Sequence, residues 1–108
     1  MMRDVTPLAW THYLTAKEYR LQARDSLLRG QCGLAGDQIQ IAVASLGRSE
    51  GNLQAANPFG GGAAGALYDK IHAENRRLKA LGRAIARRCC YRSVWTAAEK
   101  KRGYGEGR

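Results

Sequence analysis

The residues whose types and spacing bear most directly on chemistry are Arg76, Lys79, Arg83 and Arg87, which follow one another at intervals of three and four. Arg77, Arg88 and Lys70 lie at their flank, and Arg92 extends the run. On a helix the first four share one face and span roughly 16 Å at about 1.5 Å per residue, a length that can track several phosphates. No carboxylate falls between Glu74 and Glu99. Like charges three or four residues apart on a helix cost about 0.2–0.5 kcal/mol per pair, so a solvated face usually mixes both signs. An anionic partner would supply the missing counter-charge. Arginine predominates over lysine here, which suits forked contacts to phosphate or to guanine. The expected binding residues are therefore Arg76, Arg77, Lys79, Arg83, Arg87, Arg88 and Arg92, facing nucleic acid or an acidic protein surface. The bland alternative is a basic face that only solubilises the domain.

Other chemistry finds little support. His12 and His72 are the only histidines, and His72 and Glu74 are two residues apart, so they diverge on a helix. No paired carboxylates stand out, and no Cys-His or Ser-His arrangement can be read from the chain. Cys32, Cys89 and Cys90 offer no CxxC or His-Cys spacing for a metal. Adjacent cysteines rarely bond each other, and all three are expected to be reduced. Gly60, Gly62 and Gly65 formally make GxGxxG, but a dinucleotide site needs a strand before it and an acidic residue at a later strand end. Neither is present. The reading is a non-enzymatic protein without cofactor or metal.

The chain of 108 residues has room for one core, and its 44% hydrophobic and 25% charged residues are those of a globular domain. Its formal charge of +9 is unevenly placed. Residues 1–62 hold six Lys/Arg against five Asp/Glu, whereas residues 63–108 hold twelve against four. That asymmetry favours nucleic acid or an acidic protein over a membrane, since the apolar face of the basic helix carries no Trp or Phe anchor. The N-terminus lacks the charged-then-apolar pattern of a secretory signal, and no run approaches 18 apolar residues. A cytoplasmic location is expected.

Helices must position these side chains. Thr6 and Pro7 read as a hydroxyl cap followed by a first-turn proline, opening a helix to Arg29 with Trp10, Leu14, Leu21 and Leu28 as its core seam. Gly30 to Gly36 should end it. Asp37 can cap a second helix over 38–46, although Ile39, Ile41 and Val43 also permit a strand. Gly47, Arg48 and Ser49 read as a break, with Ser49 capping a third short helix halted by Pro58. The stretch 38–57 resembles a helix-turn-helix in Leu46, Gly47, Ser49 and Leu53, while Arg48 and Val43 depart from the pattern. That resemblance implies Asn52 and Gln54 at adenine edges, with Arg48 and Ser49 near phosphate. The alternative is a plain helical corner.

The glycines of 60–65, with Phe59 as an anchor, read as a joint before the long basic helix of 66–91, whose Leu67, Ile71, Leu78, Leu81, Ile85 and Cys89 form one apolar stripe. The expected fold is all-α: two long antiparallel helices with two short helices between them. One helical domain would occupy 1–98, with Val94 and Trp95 docked, and a flexible basic, glycine-containing tail 99–108. A helix-mediated dimer through the same stripe is the alternative to a monomer, but Glu74 and Gly82 interrupt its heptads. The functional expectation is a small accessory or regulatory nucleic-acid-binding protein. The competing one is an adaptor or inhibitor, of the kind phages and plasmids encode, docking on an acidic protein or nucleoprotein.

Overall fold

The computed structural model describes residues 6–56 and 63–89, which form three α-helices: α1 (Thr6–Leu28), α2 (Cys32–Ala56) and α3 (Ala63–Cys89). No strand occurs among the described residues, so 38–46 is helical. The expected joint is shorter at its end, since 63–65 already belong to α3; the rest of it with Phe59, the docking of Val94 and Trp95, and the tail fall outside the described residues.

Helix α1 ends in a Schellman turn. The Gln31 amide donates to the Ser26 carbonyl at 2.9 Å and the Gly30 amide to that of Leu27 at 3.0 Å. Gly30 sits at φ +76°, a left-handed conformation that glycine enters without steric cost. The Gln31 carbonyl then accepts from the Ala35 amide at 2.9 Å and starts α2. The break expected over Gly30 to Gly36 thus contracts to a tight turn.

The expected pair of short helices is one continuous helix of 25 residues. Gly47 costs roughly 1 kcal/mol of helix propensity relative to alanine. That is too little to interrupt a segment whose Leu46, Ser49 and Leu53 are all buried. Ser49 caps nothing: its hydroxyl donates to the Ala9 carbonyl of α1 at 2.6 Å.

The seam of α1 also differs from expectation. Its buried residues are Ala9, Tyr13, Ala16, Ala23 and Leu27, whereas Leu14, Leu21 and Leu28 are 54%, 38% and 64% exposed. Trp10 packs at the edge of the core, its ring perpendicular to that of Tyr13 with centroids 5.8 Å apart. Two faces of α1 repeat every seven residues, and the smaller one is used because α2 offers a matching row of Ala35, Ala42 and Ser49. Small side chains let the two backbones approach until a serine hydroxyl reaches the opposite carbonyl. At the other end Ser26 donates to Gln38 Oε1 at 2.7 Å, so α1 and α2 form an antiparallel hairpin.

Helix α3 lies against the hairpin through Leu67, Ile71, Leu78 and Ile85, with Leu81 and Cys89 packed beside them, which is the stripe read from its periodicity. Its interrupting acid is buried too. Glu74 is fully enclosed and accepts a charge-assisted bond from Arg20 Nε of α1. Its second oxygen has no hydrogen-bond partner but lies 3.8 Å from Arg77.

Cys32 and Cys89 form a disulfide, which corrects the expectation of reduced thiols. They stand at the start of α2 and the end of α3, and antiparallel packing brings their Cα atoms to 5.7 Å. The order is therefore up-down-up. The antiparallel partner of α3 is α2, and α1 runs in the same sense as α3, contrary to the expected α1–α3 antiparallel pair. Closing a loop of 57 residues stabilises by about 4 kcal/mol in the chain-entropy account. Among the described residues, no helix is long and apolar enough to cross a membrane.

Candidate nucleic-acid interface

The core stripe of α3 determines where its basic residues go. With Leu67, Leu78 and Ile85 pointing inward, positions 76, 83 and 87 fall on the opposite side of the helix, and all three arginines are exposed. Arg77 and Arg88 are exposed on a neighbouring flank, where Arg77 lies beside Glu74. Lys79 is half-buried on the flank facing α2. Arg92 lies outside the described residues. Glu74 is turned inward to Arg20, with Arg77 of the flank as its second cation at 3.8 Å. Asp69, also exposed, precedes Arg76 by seven residues and marks the N-terminal limit of the basic surface.

The residues expected to read bases do not form a unit. Ser49 is fully buried and committed to the Ala9 carbonyl, so it cannot contact phosphate. Arg48 and Gln54 are exposed and Asn52 is half-buried. On an unbroken helix, however, Arg48 and Asn52 share one face while Gln54 projects from nearly the opposite one. There is no turn to set a recognition helix at an angle. The helix-turn-helix reading is overturned, because Gly47 and Ser49, turn formers by type, lie mid-helix.

Between α2 and α3 lies a cleft of ≈ 290 Å³ that the sequence did not reveal. Val43 and Leu46 from α2 and Ile71 and Leu78 from α3 make its apolar part. Gly47, Glu50, His72, Asn75 and Lys79 make its polar part. Positions 72, 75 and 79 recur at the spacing of one helix flank, and Tyr68 precedes His72 by one turn, the two rings stacked with centroids 6.4 Å apart. The expected divergence of His72 and Glu74 is what the structure shows, one exposed and the other fully buried. The helical spacing of 68, 72, 75 and 79 was visible in the sequence. Their meeting with Glu50 was not, since it depends on how α2 and α3 pair.

Among the described residues, no three His, Cys, Asp or Glu side chains gather as metal ligands. The chain matches no known protein family, no curated protein and no solved structure at a significant level.

Proposed function

We propose that this chain is a small, non-enzymatic nucleic-acid-binding protein that acts as an accessory or regulatory factor and engages phosphates through the outer face of α3. The observation that supports it is the division of labour on that helix. Its apolar stripe is consumed by the α1–α2 hairpin, leaving Arg76, Arg83 and Arg87 exposed together on a face that contributes nothing to the core. A row of exposed arginines attracts the phosphate backbone, and binding is favoured by release of the counterions condensed on it. Arg48 and Gln54 are not part of this reading, since they project from other faces of the molecule.

Fluorescence anisotropy on labelled 20-nucleotide strands and duplexes tests it. Binding is expected at about 50 mM salt, with affinity falling roughly tenfold to a hundredfold by 200 mM if three or four phosphates are contacted. Replacing Arg76, Arg83 and Arg87 together with alanine should weaken binding to every sequence and flatten the salt dependence. Absence of binding at the lower salt would remove the proposal. Nuclease-resistant capture of one acidic protein would then favour the adaptor reading.

A further inference from the structure

We propose that the α2–α3 cleft receives one unpaired base of a single strand, guanine fitting best, while the adjoining phosphates lie along α3. This rests on the nucleic-acid reading and specifies the form of the ligand. The cleft is at the small end of ligand sites, with room for one heterocycle and not for a base pair. Its polar groups say what can enter. Glu50 places a carboxylate in the cleft wall, and among the described residues it has no ion-pair partner. Beside that carboxylate the favoured group is a hydrogen-bond donor, and on a strand whose phosphates lie along α3 the donors available are the neutral N–H groups of the bases. Guanine presents two adjacent N–H groups, on N1 and the exocyclic amine, which match the two oxygens of a carboxylate. Adenine and cytosine offer one amino group on that edge, and thymine or uracil a single imide N–H.

Three further features point the same way. Lys79 belongs both to the cleft and to the side of α3 that leads to Arg76 and Arg83, so a strand on the basic face passes the opening. Tyr68 and His72, stacked on the same flank, provide an aromatic surface for the neighbouring base. Gly47 belongs to the α2 wall of the cleft, and a Cβ built there would meet nothing within 4 Å. A larger side chain therefore fits at that position without a clash at its Cβ and adds bulk at a residue that lines the cleft.

The test uses the full chain and two labelled DNA strands, twelve thymidines and the same strand with one central guanine, at about 50 mM salt. The guanine strand should bind five- to a hundredfold more tightly, the range set by one bidentate base contact. Gly47→Leu should abolish that preference while leaving affinity for the thymidine strand and the thermal midpoint no lower. Glu50→Gln should reduce the preference without loss of thymidine binding, which separates an effect on recognition from one on folding. Equal affinity for the two strands, or a preference that survives Gly47→Leu, would overturn the cleft assignment while leaving the phosphate interface standing. If neither strand binds, the cleft and the interface fail together.

Discussion

The α1–α2 hairpin and α3 bury helix faces of similar length with opposite materials. The hairpin closes on Ala9, Ala16 and Ala23 against Ala35, Ala42 and Ser49, and its outer surface mixes charges, as in the exposed Asp25–Arg29 pair at 3.1 Å. Helix α3 docks with Leu67, Ile71, Leu78 and Ile85, adds a buried acid, and turns arginines outward. Along the alanine row the gain comes from close backbone approach, whereas α3 gains from displaced water, and its buried acid is tolerated because Arg20 pairs with it. The outer surface of the hairpin thus mixes both signs, with Glu50 at its border with α3. On α3, the inner and outer faces are specialised separately.

The ties that hold α3 to the hairpin should show the largest effects. Reducing Cys32–Cys89 is expected to lower unfolding stability by about 4 kcal/mol, seen as a fall in the denaturant midpoint on adding dithiothreitol. Thiol titration of the native chain should find one reactive group rather than three; equal midpoints with and without reductant would refute the tie. Arg20→Ala would leave Glu74 enclosed with only Arg77 nearby, at 3.8 Å and itself half exposed. A loss of about 3 kcal/mol is expected, the lower end of the range for breaking a buried pair, because Arg77 offsets part of it. Combining it with Glu74→Leu should restore most of the loss, since no uncompensated charge then remains. If the double variant is as unstable as the single one, the pair is not the cause.

The hairpin seam gives the smaller effects and the sharpest contrast. Ala16→Leu adds volume where backbones are closest and should cost about 1–3 kcal/mol. Leu21→Gln, five residues later on the exposed side, should change stability by no more than about 0.5 kcal/mol. Equilibrium urea unfolding of both variants decides the matter. A larger loss at Leu21 than at Ala16 would return the seam to the leucines.

Much of α3 was legible because an apolar stripe and a basic run are both local periodicities on one helix. The hairpin was misread for an equally local reason: leucines at 14, 21 and 28 and alanines at 9, 16 and 23 keep the same seven-residue spacing, and hydrophobicity favours the leucines. Only the matching row at 35, 42 and 49 selects the alanines, and that match is a property of two segments together. The signals at 47–49 misled because glycine and serine favour turns by about a kilocalorie, less than burial of the neighbouring Leu46 and Leu53 returns.

The sequence by itself determined that this protein is helical, where its charge is concentrated, and that α3 presents one apolar and one basic face. Each follows from composition or from the spacing of residues along a single helix. Only the tertiary structure decided which face of α1 is inside, that α2 is unbroken, that Glu74 meets Arg20, that Cys32 meets Cys89, and that Glu50 shares a cleft with Asn75 and Lys79. Those outcomes depend on contacts between helices, where a few kilocalories from packing outweigh the tenths contributed by each local preference.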